Sequence, residues 1–132
     1  MRYLMAESFQ NFIDGKWVAA ASGQTFDSRN PADPDDVIGT FAASTVTEAR
    51  AAIAAAHTAL PGWRALSAPA RGEFLRKAAD QLEARSAEVA AAMVRENGKT
   101  IVEARGETAR GVALFRFYAA EGVRAVGEVV PS

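Results

Sequence analysis

Two Thr-x-x-Glu tetrads, Thr45-Val-Thr-Glu48 and Thr100-Ile-Val-Glu103, set the firmest limits on how this chain folds. In each, the threonine hydroxyl and the glutamate carboxylate are spaced to satisfy backbone N–H groups that a helix start leaves unpaired. Each tetrad therefore predicts a helix N-terminus. Before Thr45 the pattern is of strands. Asp14-Gly15 stands between Phe12-Ile13 and Lys16-Trp17-Val18, and Asp-Gly suits a type I′ hairpin turn, whose two central residues need positive φ. Ser22-Gly23 marks a second turn, and Gln24 to Arg29 a further short strand. Asn30-Pro-Ala-Asp-Pro-Asp-Asp36 is a turn cluster, because Pro fixes φ while Asn and Asp bond their own backbone. Val37 to Ala42 reads as the last strand.

Three helices are expected. The first runs from the Thr45 tetrad through an alanine-rich stretch to about Leu60 and stops at Pro61-Gly62. Ser67 caps the second, which tolerates Pro69 in its first turn. Its apolar face is Phe74, Leu75, Ala78, Leu82, Val89, Met93 and Val94, and Asn97-Gly98 supplies the left-handed geometry that ends it. The third starts at Thr100, points Val112, Phe115, Ala119, Val123 and Val126 inward, and fades near Gly127. Val129-Val130 then begin an extended segment, and residues 1–10 read as a flexible leader.

Composition narrows the function classes. At 132 residues, with 49% hydrophobic and 23% charged side chains, the chain is of ordinary globular make-up. A net charge of −1 with mixed signs leaves no footprint for nucleic acid or an anionic membrane. Cysteine is absent, which excludes disulfides, thiolate metal sites and a cysteine nucleophile within these residues. One histidine, His57, makes no two-histidine metal site and no nucleophile–base pairing. Neither a signal-peptide pattern nor an apolar run of roughly 20 residues is present, so a cytoplasmic protein without a membrane span is expected.

The order of Gly15-Lys16-Trp17, Asn30-Pro31, Ile38-Gly39, Trp63-Arg64, Arg71, Glu96-Asn-Gly-Lys99, Glu103-Ala104 and Glu107 resembles the N-terminal portion of the NAD(P)-dependent aldehyde dehydrogenases. Each motif is weak alone, whereas eight in this order at matching separations are specific. One departure is Asp35-Asp36, where the family usually has glycine before the Ile-Gly strand. The resemblance implies an α/β fold: short antiparallel strands followed by three α-helices, with residues 11–132 forming an incomplete piece of the cofactor domain. It implies aldehyde oxidation with NAD or NADP through a thiohemiacetal, a hydride transfer and thioester hydrolysis. The family's catalytic cysteine, general-base glutamate, oxyanion-binding asparagine and Gly-rich cofactor loop lie further along the chain. No catalytic or cofactor-binding residue is thus assigned here, and the 132 residues alone are expected to be inactive. The implied partners are the remainder of the polypeptide, a small aldehyde, and identical subunits in a dimer or tetramer.

The run Glu103-Ala-Arg-Gly-Glu107 with Arg110 is similar to members that oxidise α-ketoglutaric or succinic semialdehyde. By that resemblance Arg110 binds the distal carboxylate of an acidic aldehyde, and Gly106, a turn earlier, walls the substrate tunnel. The plainer alternatives are an ion-pair stripe for Arg110 with Glu103 and Glu107, and close helix packing for Gly106. Arg29, through its carbonyl, and Glu96 match family positions that hold a structural monovalent cation; the alternative is solvated strand-end and helix-end side chains. Lys99 has no upstream phosphate loop. His57 reads as a boundary residue, and Phe115, Phe117 and Tyr118 as core. A rival for the whole chain is a non-catalytic α/β interaction module or a truncated remnant of the family.

Overall fold

A computed structural model describes residues 7–124. Five strands come first: β1 (Ser8–Phe9), β2 (Asn11–Ile13), β3 (Lys16–Val18), β4 (Thr25–Asn30) and β5 (Asp33–Ala42). Four helices follow: α1 (Val46–Ala65), α2 (Ala68–Ala84), α3 (Ser86–Asn97) and α4, described from Ile101 to Arg124. The chain divides into two compact units, Met1–Pro61 with Met93–Lys99, and Gly62–Ala92 with Thr100–Ser132. The first holds all five strands. The segments expected beyond Arg124 lie outside the described residues.

In the strand-bearing unit the Asp14-Gly15 turn forms as expected, with φ of 51° and 73°, and pairs β2 with β3 in antiparallel register Ile13↔Lys16. β5 is the centre of a separate sheet ordered β1-β5-β4. Its pairing with β4 is antiparallel, whereas β1 joins it in parallel, so the expected all-antiparallel set is corrected at this strand. The leader is also shorter than expected, because Ser8–Phe9 pair with Thr40 and Phe41. The registers Phe9↔Phe41 and Phe26↔Phe41 line up three aromatic rings across the sheet, with centroids 4.8 and 5.8 Å apart. Gly39 is required beneath the first ring: a Cβ there would lie 2.5 Å from the Phe9 ring and 2.8 Å from the Glu7 carbonyl.

Among the described residues there are four helices, because the long second helix breaks at Arg85. Arg85 adopts φ −106° and ψ 15°, and its N–H points back to the carbonyls of Gln81 and Glu83. Its own carbonyl accepts from Val89, so one residue closes α2 and opens α3. The expected stop at Pro61 is also corrected, since α1 continues to Ala65. Interior proline costs about 3 kcal/mol. The turn beyond it carries Trp63, whose ring packs on Phe74 at 5.5 Å, and Leu66 N–H closes on the Trp63 carbonyl. The two tetrads and Ser67 cap their helices as read from sequence.

In the helical unit α2 packs on α4 through small residues. A Cβ on Gly72 would strike the Ala119 carbonyl, and one on Gly122 would lie 2.7 Å from the Ala68 carbonyl. The two backbones approach too closely for side chains. The buried stripe of α4 is Ala104, Thr108 and Val112. Phe115, Phe117, Tyr118 and Val123, expected in the core, are exposed among the described residues. The buried apolar set is Ala20, Ala79, Ala90, Ala104 and Val112, and no large side chain is fully buried among the described residues.

Candidate functional site

The outward face of α4 follows from helix geometry. Residues 106, 110, 113 and 117 fall on one stripe at i, i+4, i+7 and i+11. They lie opposite the stripe through Thr108 and Val112 that is buried. Gly106 has no neighbour within 4 Å of a Cβ built on it among the described residues. Glu103 does not pair with Arg110. Its carboxylate accepts from Thr100 N–H at 3.1 Å and from the Thr100 hydroxyl at 2.9 Å. Arg110 is exposed and makes no ion pair among the described residues. Phe117 continues the stripe, 52% exposed, with the Arg124 guanidinium 5.7 Å from its ring centroid. Beside the stripe, Leu75, Gly111, Leu114, Phe115 and Tyr118 line an open, wholly apolar depression of about 470 Å³. The guanidinium and the glycine gap share one stripe of α4, whereas the apolar depression lies on the flank that turns toward Leu75 of α2.

Arg29 and Glu96 both belong to the strand-bearing unit. Arg29 sits where the β4–β5 ladder is irregular on both sides of it, between Ser28 and Arg29 and between Arg29 and Asn30. Its guanidinium is tied locally, donating to the Pro34 carbonyl at 3.0 Å and to Asp27 Oδ2 at 2.9 Å. The resemblance assigns the cation to its backbone oxygen, not to this guanidinium. Glu96 occupies the last turn of α3, exposed. Its neighbour Arg95 grips Asp36 through Nε at 3.0 Å and Nη2 at 2.6 Å, which fastens the end of α3 to the strand that faces Arg29. That contact holds the Asp36 carboxyl below the usual carboxylate range, with Asn30 assisting. No cluster of three or more His, Cys, Asp or Glu suited to a metal occurs among the described residues.

A dinucleotide pyrophosphate needs free N–H groups at a glycine-rich helix start. The nearest candidate, Gly98 ahead of α4, does not fit. A Cβ there would meet Pro31 Cγ at 3.1 Å, and the N–H groups of Thr100 and Glu103 are taken by the cap. No cofactor chemistry is assigned to these residues.

Sequence reasoning missed what Glu48 does beyond capping. One carboxylate oxygen takes the Thr45 N–H at 2.9 Å and the Thr45 hydroxyl; the other takes the Ala21 N–H at 2.7 Å. These hydrogen bonds, the Thr45 hydroxyl foremost, pull its pKa down to about 2. The Thr-x-x-Glu spacing revealed the cap, but nothing in it signals a loop distant in sequence. A carboxylate held ionised in this way is a structural tie; a general acid or base must exchange a proton near neutral pH.

Residues 17–132 match the aldehyde dehydrogenase family. The chain is 46% identical over 125 residues to an α-ketoglutaric semialdehyde dehydrogenase of Bacillus subtilis, covering 95% of this chain and 26% of the relative. It is 37% identical to an NADP-dependent succinate-semialdehyde dehydrogenase of Escherichia coli, covering 92% and 25% of the two chains. The crystal structure of Escherichia coli lactaldehyde dehydrogenase superposes with a TM-score of 0.90 at 32% identity, over 97% of this chain and 27% of that one. The chain therefore spans about a quarter of the length of the relatives it matches. The family match covers most of the chain and the fold agrees over nearly all of it, so the chain is a member of the aldehyde dehydrogenase family.

Proposed function

We propose that this chain forms part of an NAD(P)-dependent oxidoreductase that converts an acidic semialdehyde to its dicarboxylic acid. In this reading the strands and helices frame the cofactor domain and one side of a substrate tunnel. The thiol nucleophile and the nicotinamide site come from polypeptide beyond these residues, and the 132 residues alone do not turn over substrate. The observation that carries the substrate class is Arg110: an exposed guanidinium without an ion-pair partner among the described residues, in line with the open Gly106. Arginine offers a carboxylate two parallel N–H donors, and a glycine one turn away leaves room for the substrate chain. The semialdehyde specificities of the Bacillus subtilis and Escherichia coli relatives point the same way.

In the full-length enzyme, Arg110→Met should raise KM for acidic semialdehydes by about tenfold or more, the scale of a lost charge-assisted pair, and leave neutral aldehydes nearly unchanged. Equal effects on both would remove Arg110 from the substrate site. The same reading gives the Arg29 carbonyl and Glu96 a structural monovalent cation, a homo-oligomer as the assembled form, and the cytoplasm as its place. Glu96→Gln should abolish any dependence of thermal stability on exchanging sodium for lithium. The sparse core speaks against a self-standing interaction module, because Trp17 is 68% and Phe12 62% exposed in the described residues.

A further inference from the structure

The sequence contains two Asx-Gly steps, Asp14-Gly15 and Asn97-Gly98. At such steps the glycine nitrogen can attack the preceding side-chain carbonyl carbon, since no Cβ crowds its approach. Asp14-Gly15 is sterically open, with nothing within 4 Å of a Cβ on Gly15. Its side chain is an acid and not an amide, however, so it has no ammonia to lose. Asn97 has the better leaving group. Its side chain is exposed and makes no hydrogen bond among the described residues.

The backbone around Asn97 works against the reaction. Asn97 is the last helical residue of α3, and the Gly98 N–H donates to the Val94 carbonyl at 2.8 Å. Gly98, with φ of 71°, sits against Pro31 Cγ and Ala32. Two residues before Asn97, Arg95 holds Asp36 through two hydrogen bonds. To reach the Asn97 side-chain carbon, the Gly98 nitrogen must leave Val94 and lift away from Pro31.

We propose that Asn97-Gly98 is a latent deamidation site, held shut by the helix-end hydrogen bond, the Pro31 seat and the Arg95–Asp36 clasp. When the helix end opens, the Gly98 nitrogen bonds to the Asn97 side-chain carbon and ammonia leaves with the proton from that nitrogen. Water then adds to either carbonyl of the five-membered imide, giving an aspartyl or isoaspartyl residue at position 97. The net change is one water consumed and one ammonia released. The product places a second anion beside Glu96 at a helix C-terminus, where the dipole disfavours it. The isoaspartyl form also lengthens the backbone by one carbon, so the Gly98–Val94 closure cannot reform as before.

The test is peptide mapping of the 132-residue chain aged in warm, mildly alkaline buffer. Trypsin cleaves after Arg95 and Lys99, so position 97 is read in one short peptide by mass and, for the isoaspartyl form, by retention. Deamidation in the folded chain should be slower by about tenfold or more than in urea, because it requires local opening. Asp36→Asn leaves the Asn97-Gly98 peptide untouched, yet should speed the folded-state reaction by about threefold, the scale of a partly exposed ion pair. Asp36→Glu, which keeps the charge, should stay near the parent rate, and circular dichroism reports whether each variant retains its helices. Equal rates in folded and urea-unfolded parent chain would overturn the proposal, without reliance on either variant. So would a helical Asp36→Asn that ages at the parent rate.

Discussion

In the strand-bearing unit, distant segments meet through side chains: Glu48 reaches the Ala21 N–H, Arg95 reaches Asp36, and three phenylalanines stack across β1, β5 and β4. In the helical unit the closest approaches run through backbone: Gly72 lies under the Ala119 carbonyl and Gly122 under that of Ala68. Side-chain ties are directional and can be traced to residue types. Backbone approach depends on what is missing from a position. Both kinds of tie occur in each unit, since Gly39 also rejects a methyl and Arg116 of α4 also donates to Glu83 of α2, but the α2–α4 seam depends most on the missing side chains of Gly72 and Gly122.

The sharpest way to break this contrast is Gly72→Ala. Helix propensity alone favours alanine by about 1 kcal/mol, but the new methyl has only the Ala119 carbonyl to meet. Net destabilisation of about 2 kcal/mol is expected from urea unfolding, and a stabilised variant would show that α2 and α4 do not pack this closely. Gly122→Ala should behave alike.

Glu48→Gln probes the other unit. Its carboxyl titrates near 2 when folded, against an ordinary 4.5. Because the folded value is the lower one, the stabilisation is fully present above pH 4.5 and is lost as pH falls toward 2. The substituted chain should be less stable at neutral pH and show a flatter stability profile across that acid window. An unchanged profile would mean that the Ala21 and Thr45 bonds do not matter.

Gly106→Ala separates packing from function. With nothing near its Cβ position, alanine should stabilise the chain by about 0.5–1 kcal/mol. In the full-length enzyme the same change should raise KM for the aldehyde if the glycine clears the tunnel. The smallest effect belongs to Arg76→Ala. Its pairs with Glu73 and Asp80 lie on an exposed face, so its urea midpoint should not move measurably.

The sequence made the local geometry readable wherever a residue type has one physical reason to be present. Asp14-Gly15, Ser67, the two Thr-x-x-Glu caps and Gly98 all adopt the conformations their chemistry favours. It was silent where tertiary packing overrides local preference. Pro61 fails to end α1, and the Arg85 break occurs with neither glycine nor proline at hand. The periodicity of α4 misled for a related reason. Its aromatic residues repeat at helical spacing, but the contact with α2 uses glycine and alanine, leaving Phe117 and Tyr118 outside. The Arg95–Asp36 clasp joins residues far apart in sequence, and neither side chain announces the other. For the candidate site, sequence supplied the residues, and the structure added that Gly106 faces open space and that Glu103 is occupied by its cap.

In the proposed function, these residues are the wall and frame of a dehydrogenase whose chemistry is supplied by further polypeptide. The most direct measurement is the absorbance of reduced nicotinamide when the purified 132-residue chain is mixed with NAD or NADP and an acidic semialdehyde. No aldehyde-dependent signal above background is expected. Sustained turnover by this cysteine-free chain would contradict it.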